Sequence, residues 1–546
     1  MSSDPSEPPD ASGDRDDEGD DPSADASAAM AIRAQRLAKL DRLRAAGGVA
    51  YPPRFDRDRT LAELRRDFGG LEAGVETDTE VRIAGRLMLK RGQGKLIFAT
   101  LRDRDGEVQL FVSKAVIGDQ AFADFDDLDR GDWIGVGGTV MATRKGELSV
   151  KATSFVLLSK ALRPLPDKWR GLTDVDQRYR QRYVDLVVNP QAQRILEIRV
   201  KAVAALRQTL TEQGYLEVET PMMNLVQGGA TARPFVTHYN ALDLDTYLRI
   251  ALELPLKRLI VGGMEGVFEI GRIFRNEGID TRHNPEFTMV EAYAAFGDYT
   301  DMMVLTEGMV ATAARSAIGR TTVTVRGTEI DLAPPWRRVA MAELVTEVLG
   351  VELHAGMPVE AARAVLDGLG LAWEESWGAG RITLEAYDEL VESQVDGPVI
   401  VYDYPRETSP LAKPHRDDPA LVERFEVIVA GRELANAYSE LNDPVEQLAR
   451  FREEARAKAA GDAEASDVDL DYVRALEYGM PPAGGMGMGI DRLIMLLAEV
   501  DSIREVILFP TLRPETGLTE DDFPSLDPPR GAPADGETQP PGRAGD

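Results

Sequence analysis

Residues 267–296 read VFEIGRIFRNEGIDTRHNPEFTMVEAYAAF, and this stretch decides the fold. Its first run places apolar side chains at even positions, among them Phe268 and Phe274, and a period of two residues is typical of a β-strand. A polar segment with the structure breakers Gly278 and Pro285 follows this run. The stretch therefore predicts two strands joined by a charged loop.

The second run of this hairpin carries side chains suited to a ligand. Phe287, Met289, Glu291 and Tyr293 occupy alternate positions, so they share one face of a strand. Together with Arg275 in the loop, that face offers a cation, an aromatic ring and a carboxylate to one bound molecule. An antiparallel core hairpin with a charged tip is the alternative interpretation.

Composition bounds the class of protein. The chain has 546 residues, of which 43% are hydrophobic and 29% charged, which is typical of a globular protein with more than one domain. The net charge of -30 argues against a nucleic-acid partner, but ten acids against one Arg in residues 1–28 contribute -9 and eight acids against three Arg in residues 511–546 contribute -5. The residues between these ends carry the remaining -16, so a polyanion would need a local basic patch.

Several kinds of chemistry are excluded. The chain has no cysteine, which rules out disulfides, thiolate metal sites and cysteine nucleophiles, and its four His lack ligand spacing. The first residues are acidic, without a basic segment followed by an apolar run, so we expect no secretory signal. Because no apolar stretch approaches about 18 residues, we expect a cytoplasmic protein with no membrane span.

Between residues 80 and 159 the sequence predicts a small barrel. Five short strand-like runs are separated by turns with glycine, a pattern that suits a barrel of the OB type. Residues 82–104 contain seven basic residues, one acid and Phe98, which is the pattern of a platform for single-stranded nucleic acid. A generic barrel with a solvated basic face is the alternative.

A nucleotide site in the large domain would need an unusual scaffold. The sequence contains neither GxxxxGK[ST] nor a GxGxxG that opens a helix after a parallel strand, so a nucleotide would bind to the face of an antiparallel sheet. Arg275 is a candidate for phosphate because its guanidinium can engage two oxygens. Arg492 is a second candidate; it follows Gly485, Gly487 and Gly489 in a segment that we interpret as a glycine-rich turn entering an apolar helix.

Residues 425–441, FEVIVAGRELANAYSEL, predict a second hairpin with a two-residue turn at Ala430 and Gly431. This turn places Glu426 and Glu433 on one face, where two carboxylates favour Mg²⁺. For Asn436 to reach the same site, a bulge must fall between Glu433 and Asn436. An exposed acidic hairpin is the alternative.

Further acids belong to the same predicted site. Glu253, Glu291 and Glu440 would be costly to bury without partners, so their ligand should be a cation or a strong donor. An α-amino group and a side-chain ammonium would satisfy them.

With these residues the chain resembles the class II aminoacyl-tRNA synthetases, and most closely their lysine-specific members. The resemblance runs from about residue 32 to residue 514 and rests on three motifs together: ETPMMNLVQGGATARPF, FRNEGIDTRHNPEFTMVEAY and GMPPAGGMGMGIDRL. It implies an α+β fold, with an N-terminal OB-type β-barrel and a catalytic domain built on an antiparallel β-sheet flanked by helices. The family pattern around Glu253 departs here at Leu252 and Pro255.

The resemblance also implies an activity and its partners. Lysine and ATP would give lysyl-adenylate, and the lysyl group would pass to tRNA(Lys) on a homodimer whose interface contains the first motif. The implied roles are catalysis by Arg275 and Arg492; ATP binding by Arg275, Glu277, His283, Phe287, Glu426, Glu433 and Arg492; and Mg²⁺ binding by Glu426 and Glu433. The residues implied to bind lysine are Gly229, Glu253, Arg275, Glu291, Tyr293, Asn436, Tyr438 and Glu440. The residues implied to bind the anticodon bases are Phe98, Gln109 and Glu147.

Six segments follow from composition and resemblance. They are a disordered acidic tail (1–29), a helical segment (30–79), an OB-fold anticodon-binding domain (80–159), a linker (160–182), the catalytic domain (183–514) and a second disordered tail (515–546).

The sequence leaves three rival functions. A sister synthetase for aspartate or asparagine would want cations where Glu253 and Glu440 stand. A truncated paralogue that lysylates a protein would lack the barrel domain. An inactive RNA-binding relative would not need the four residues Arg275, Glu426, Glu433 and Arg492.

Overall fold

A computed structural model describes residues 22–166, 172, 174–230, 232–459 and 467–514. The chain divides into two compact units, Met1–Thr173 and Asp174–Asp546. The predicted disorder of residues 1–21 and of the C-terminal tail from residue 515 lies outside the described residues, as do residues 167–171 and 173 of the predicted linker (160–182).

The first unit contains two helices followed by a barrel with two short helices inserted. Its elements are α1 (Pro22–Ala45), α2 (Leu61–Phe68), β1 (Glu76–Gln93), β2 (Leu96–Arg102), β3 (Glu107–Ser113), α3 (Lys114–Ile117), α4 (Asp119–Asp127), β4 (Trp133–Ala142) and β5 (Leu148–Ser159).

The five strands close into a barrel in the order β1-β2-β3-β5-β4, with β3 and β5 parallel. Strands β2 and β3 alternate strictly between buried and half-buried residues, and the buried set, including Ile97 and Leu110, fills the interior. Each such side chain contributes about 1.5–3 kcal/mol on burial. The predicted OB-type barrel is confirmed.

Two features of this unit were not predicted. Helix α1 begins at Pro22, within the segment that the sequence assigned to the disordered tail (1–29). The alanine-rich run that follows has a high helix propensity, and the acids near its start suit a helix N-terminus. The short helices α3 and α4 occupy the connection between β3 and β4, where Phe125 is buried against the barrel core.

The second unit is larger and mixes helices with one large sheet. Its first elements are α5 (Val175–Arg180), α6 (Arg182–Val188), α7 (Pro190–Glu212), β6 (Leu216–Glu217), β7 (Met223–Asn224), β8 (Val236–Tyr239), β9 (Leu244–Leu248), α8 (Glu253–Val261), β10 (Gly266–Phe274), β11 (Glu286–Ala295) and α9 (Tyr299–Ile318). The following elements are β12 (Thr322–Val325), β13 (Thr328–Asp331), β14 (Arg337–Ala340), α10 (Met341–Leu349), α11 (Val359–Leu369), α12 (Ala379–Leu390) and β15 (Val399–Pro405). The last elements are β16 (Leu421–Ile428), β17 (Glu433–Ser439), α13 (Pro444–Ala459), α14 (Leu470–Glu477), β18 (Ala483–Gly489), α15 (Ile490–Ala498) and α16 (Ile503–Val506), and two 3-10 turns lie at Glu392–Gln394 and Arg406–Thr408.

Eight strands form one sheet in the order β14-β15-β16-β17-β18-β11-β10-β6. Neighbours are antiparallel from β15 to β10, and only the edge pairs β14/β15 and β10/β6 are parallel. Since side chains alternate across a strand, the sheet has two distinct faces. One face packs on α7, α9 and α15 in the main hydrophobic core, and the other face is left for a site. The α+β architecture is confirmed.

Local details in this unit differ from the sequence interpretation. Helix α5 lies within the predicted linker, because the side chain of Asp174 accepts hydrogen bonds from the N–H groups of Asp176 and Gln177 and so caps the helix. Residues 341–369 contain two separate helices, α10 and α11. Gly350 ends α10 with a left-handed backbone, φ 69°, and Pro358 precedes α11.

Candidate active site

A cavity of about 400 Å³ lies on the open face of the large sheet. Strands β11, β16, β17 and β18, helix α8 and the loop at residues 275–285 all contribute to its wall. A cavity of this size, lined by charged groups from many elements, is suited to small ligands. The wall contains both arginines and carboxylates, and its part around Glu253 and Glu291 is called the acidic end below.

The hairpin at residues 267–296 forms as predicted. Strands β10 and β11 are antiparallel, with Ile273 opposite Phe287 and Glu269 opposite Glu291. Phe287, Glu291 and Tyr293 line the cavity, whereas the intervening Val290 lies in the core on the other face. The alternation along β11 thus separates the site from the core.

Arg275 is the first residue after β10, and its guanidinium is buried without an ion pair among the described residues. Its guanidinium lies over the ring of Phe287, 5.3 Å from the centroid, and its Nη2 lies 3.5 Å from the backbone oxygen of Ile250. Its buried Nε lacks a hydrogen-bond partner among the described residues. Burial lowers the pKa of Arg275. A partly desolvated cation without an ion pair is suited to an anionic ligand.

The loop after Arg275 brings two further predicted residues to the cavity. Glu277 and His283 are exposed and line the wall. His283 lies with its Nδ1 2.9 Å from Oδ2 of Asp280, whose Oδ1 accepts the backbone N–H of His283 at 2.7 Å. Asp280 therefore holds the imidazole in place.

The acidic hairpin has the predicted turn and the predicted bulge. Ala430 and Gly431 both have positive φ, 52° and 67°, which is the geometry of a two-residue hairpin turn. Ile428 pairs with Glu433, but Val427 pairs with Ala435, so one residue of β17 is unmatched. This shift is the irregularity expected between Glu433 and Asn436, and it lets Glu426, Glu433 and Asn436 all line the cavity.

Arg424 was missed in the sequence, although it holds this hairpin together. It donates from Nη2 to Oε1 of Glu426 at 2.6 Å, from Nε to Oδ1 of Asn436 at 3.1 Å and from Nη1 to Oγ of Ser409 at 2.9 Å. Its guanidinium also lies 4.6 Å from the ring centroid of Tyr404. The position of Arg424, two residues before Glu426 on a strand, was the available signal, since residues i and i+2 share a face.

The two candidate metal ligands lie near each other. Burial raises the pKa of Glu426, Arg424 opposes this shift, and the charge of Glu433 adds to it. Glu433 accepts from Nη1 of Arg492 through its backbone oxygen at 2.7 Å and through Oε2 at 3.1 Å. Two neighbouring carboxylates, one largely buried and one partly exposed, fit a divalent cation.

These two carboxylates form only part of a coordination sphere. The described residues contain no cluster of three or more acidic or histidine side chains that could hold a metal ion. The remaining oxygen ligands would have to come from phosphate groups or water.

The other end of the cavity is built from Glu291 and its neighbours. Oε1 of Glu291 accepts the N–H of Leu252 at 2.9 Å, and Oε2 accepts the hydroxyl of Tyr293 at 2.9 Å. Burial raises the pKa of Glu291 to about 7, and the nearby charge of Glu253 adds to the shift. The carboxylate is therefore poised to gain from a positive ligand group.

Glu253 begins helix α8 and contacts a second residue that the sequence did not single out. Its Oε2 accepts a hydrogen bond from the hydroxyl of Tyr438 at 2.5 Å. Its Oε1 accepts a hydrogen bond from the ammonium of Lys257, which lies one turn further along the helix. Lys257 is fully buried and also pairs with Glu440. The i, i+4 spacing of Glu253 and Lys257 was the signal that could have found it.

Glu440 lies behind the wall and not on it. Its side chain is fully buried, it does not line the cavity, and burial raises its pKa while the ammonium of Lys257 opposes the shift. The other residues predicted for this end, Gly229, Glu253, Glu291, Tyr293, Asn436 and Tyr438, do line the cavity.

The glycine-rich segment before Arg492 is a strand, and its interpretation as a turn was wrong. Strand β18 pairs with both β11 and β17 in the centre of the sheet. A Cβ on Gly485 would lie 2.0 Å from Oε1 of Glu440 and 2.4 Å from the ring of Tyr293. Large neighbours on both sides therefore require glycine here. Arg492 lies in the first turn of α15, as expected.

The three barrel candidates lie near one another. Phe98 is opposite Phe111 in the β2/β3 pair, and their rings meet edge to face at 5.5 Å. Gln109 lies two positions from Phe111, so it shares the outer face, and its Nε2 donates to Oγ of Ser149 at 2.9 Å. Glu147 is exposed just before β5.

No helix within the described residues is both long enough and apolar enough to cross a membrane.

Comparison with known proteins matches both units. A family model described as tRNA synthetases class II (D, K and N) matches residues 174–513, and one described as an OB-fold nucleic acid binding domain matches residues 81–158. The chain is 50% identical over 494 residues to a lysine–tRNA ligase of Nostoc punctiforme, covering 89% of this chain and 88% of the relative. It is 51% identical over 487 residues to a lysine–tRNA ligase of Pelotomaculum thermopropionicum, covering 89% and 95%.

Proposed function

The chain belongs to the class II aminoacyl-tRNA synthetases, and we propose that it activates L-lysine with ATP and transfers the lysyl group to tRNA(Lys). One observation carries this proposal: Arg275, a cation without an ion pair among the described residues, stands in a cavity that also contains the carboxylates of Glu253 and Glu291. Those carboxylates suit the ammonium groups of lysine, and Arg275 suits its carboxylate and the phosphate that the carboxylate attacks.

In the first step the lysine carboxylate attacks the α-phosphate of ATP and pyrophosphate leaves. No side chain has to act as a nucleophile, so the residues align the reactants and neutralise the charge that develops. Arg275 bridges the lysine carboxylate and the α-phosphate. Arg492 leaves Glu433 to bind the γ-phosphate side of ATP.

The remaining ATP contacts come from the hairpin. Phe287 supplies an aromatic face for adenine, and Glu277 and His283 bind the nucleotide from the exposed loop. Glu426 and Glu433 would hold Mg²⁺, which supplies positive charge to the phosphates when bound. The oxygen chemistry and proximity of these carboxylates support that assignment.

The lysine substrate occupies the acidic end of the cavity. Glu253 and Glu291 receive its ammonium groups, Tyr293, Asn436 and Tyr438 complete the wall, and Gly229 closes over it. Glu440 supports this end from behind the wall.

In the second step a terminal ribose hydroxyl of tRNA attacks the acyl carbon of lysyl-adenylate; the ester forms, the hydroxyl loses its proton, the acyl–phosphate bond breaks and AMP leaves. The barrel at residues 80–159 is the anticodon-binding domain, with Phe98 stacking on a base and with Gln109 and Glu147 reading base edges, and residues 183–514 form the catalytic domain. The half-buried Phe98 on a barrel face with basic neighbours supports this assignment.

The active enzyme is a cytoplasmic homodimer in this proposal. Support comes from an apolar surface in the region of the first motif, where Leu225 is 67% and Leu242 64% exposed. Isolated exposed apolar residues are ordinary, but a cluster of them marks an interface. Four further exposed apolar residues belong to one small sheet of β7, β9 and β8: Met223, Val236, Tyr239 and Leu244. Met222 directly precedes this sheet, and Leu216 is exposed on β6.

The three rivals are disfavoured. A ligase for aspartate or asparagine would place an acidic or amide side chain against Glu253 and Glu291, and Lys257, the partner cation of Glu253, does not line the cavity. A protein-lysylating paralogue would lack the barrel, which is present here. An inactive relative would not need Arg275, Arg492 and Glu426 to converge on one cavity.

Amino-acid-dependent exchange of pyrophosphate into ATP tests the activity. The assay is run with each proteinogenic amino acid in turn, with Mg²⁺ and without tRNA. Lysine alone should support exchange. Exchange driven by aspartate or asparagine would replace the proposal with the sister activity, and no exchange with any amino acid would support the non-catalytic relative.

A further inference from the structure

A buried ammonium lies beside the acidic end of the cavity. Lys257 on helix α8 has no exposed side-chain surface and forms ion pairs with both Glu253 and Glu440. Its ammonium also lies 5.4 Å from the ring centroid of Tyr438. A lysine buried this completely is uncommon unless it is paired. It does not line the cavity, so it has no direct contact with a ligand there.

The location of Lys257 affects the charge that a ligand experiences. Glu253 and Glu291 line the cavity, and Glu440 lies directly behind the wall, so three carboxylates converge on this end. Two cations, Lys257 and Arg275, partly neutralise the charge of these carboxylates. These five groups together carry one negative charge when all three carboxylates are ionised, and lysine with both amino groups protonated carries one positive charge.

Without Lys257 this balance would be lost. Charges in a protected site interact strongly over several ångströms, so a cation need not contact a ligand to influence its binding. A pocket with two negative charges would favour a ligand with two positive charges over lysine itself. An apolar residue in place of Lys257 would therefore fill the same space but alter the preference.

We propose that Lys257 is a specificity-determining positioning residue: its fixed ammonium holds Glu253 and Glu440 and sets the pocket charge to match lysine. This inference rests on the proposed function, because it assigns the acidic end to the lysine substrate. Recognition of lysine then depends on the number of charges in the pocket as well as on its contacts.

The test compares two ligands that differ by one carboxylate. Dissociation constants of L-lysine and of cadaverine, which keeps both ammonium groups but lacks the carboxylate, are measured by calorimetry at pH 8 for the full chain and for Lys257→Met. The ratio of the cadaverine constant to the lysine constant should fall by at least about 10-fold in the variant. A ratio unchanged within a factor of about 2, with both ligands weakened equally, would make Lys257 a purely structural residue.

Two further variants keep the test decisive if Lys257→Met does not fold. Glu440→Gln removes a negative charge, so the same ratio should rise by at least about 10-fold. The double variant Lys257→Met/Glu440→Gln removes one charge of each sign, and its ratio should return to within about 3-fold of the original. Ratios that do not follow the number of charges would overturn the inference.

Lys201→Met is the matched control. Lys201 is exposed on helix α7 and pairs only loosely with Glu197, at 3.7 Å. It should leave the ratio unchanged. If the unsubstituted chain does not bind lysine at all, the proposed function fails. If it binds lysine but the ratios do not move, only the role of Lys257 fails.

Discussion

The barrel and the candidate cavity of this synthetase gather their candidate residues in opposite ways. Phe98, Gln109 and Glu147 come from adjoining segments of one small barrel and lie half-buried or exposed on its surface. The candidate residues of the cavity come from positions between 229 and 492, and most of their charges are neutralised by other charges of the chain. A surface that reads a polymer tolerates solvent around each contact, whereas a site that performs chemistry on small ions has to balance its charges internally.

The largest effect should come from Arg275, which lines the cavity and has no ion pair among the described residues. Arg275→Ala should lower adenylate formation by about 1000-fold or more, because the variant loses the charge that neutralises the attacked phosphate. The affinity for tRNA should stay the same, since the barrel is untouched. Pyrophosphate exchange and filter binding measure the two quantities.

Arg272→Ala is the matched control for this change. Arg272 precedes the loop, and its Nε lies 3.5 Å from a carboxylate oxygen of the half-exposed Glu286. Its loss should alter exchange by no more than about 3-fold. Intact exchange in Arg275→Ala would remove Arg275 from the mechanism and weaken the contrast between cavity and barrel.

Strand β18 of the cavity wall has little room for a side chain at Gly485, unlike an exposed surface position. Gly485→Ala would place a Cβ within 2.0 Å of Glu440 and 2.4 Å of Tyr293, so one of these side chains would have to move. Such crowding costs about 1–3 kcal/mol, and we expect the KM for lysine to rise about 10- to 100-fold.

Gly487→Ala provides the comparison on the same strand. The closest atom to a Cβ there is the methyl carbon of Met289 at 3.3 Å, at the end of a flexible side chain. Its effect on the KM for lysine should stay within about 3-fold. Equal effects of the two substitutions would mean that the position of Glu440 does not matter for lysine.

The pH dependence of activity should also differ between the cavity and the barrel. The carboxyl of Glu291 has a pKa of about 7 because it is buried, so it is protonated below that value and charged above it. An ammonium ligand binds the charged form, and kcat/KM for lysine in the exchange reaction should rise about 10-fold between pH 6 and pH 8. The Glu291→Gln variant should have a lower kcat/KM for lysine, and its kcat/KM should not rise between pH 6 and pH 8. The affinity for tRNA at fixed salt should change less over the same interval, and a rise that persists in Glu291→Gln would assign the titration to another group.

The smallest effect should come from the barrel. Phe98→Ala removes a stacking surface worth about 1–3 kcal/mol per base, so the KM for tRNA should rise about 10-fold. Pyrophosphate exchange without tRNA should be unchanged, which is the internal control. A loss of exchange in this variant would show that the barrel and the cavity are not independent.

How far the sequence predicted the site depended on whether a relation was local. Alternation along β11 was enough to place Phe287, Glu291 and Tyr293 on one face, because it depends only on neighbouring residues of one strand. The turn at Ala430 and Gly431 and the following bulge were equally predictable, because turn chemistry and strand register act over a few residues.

Relations between distant residues could not be predicted in this way. The need for glycine at position 485 arises from Tyr293 and Glu440, which lie on the neighbouring strand and just beyond another. The glycines alone indicated a turn, since glycine is the default residue of tight turns. Arg424 and Lys257 were overlooked for the same reason, because a charged residue on a strand or helix is usually solvated until its neighbours bury it.

The sequence by itself determined the two-domain α+β plan, the hairpins and the identity of most chemical groups in the cavity, because these depend on periodicity and on motif spacing. Only the tertiary structure decided which charges neutralise each other: Arg424 with Glu426, Arg492 with Glu433, and Lys257 with Glu253 and Glu440. The physical reason is that the strength of an ion pair depends on distance and burial, and both are set by packing between segments that lie far apart in the chain.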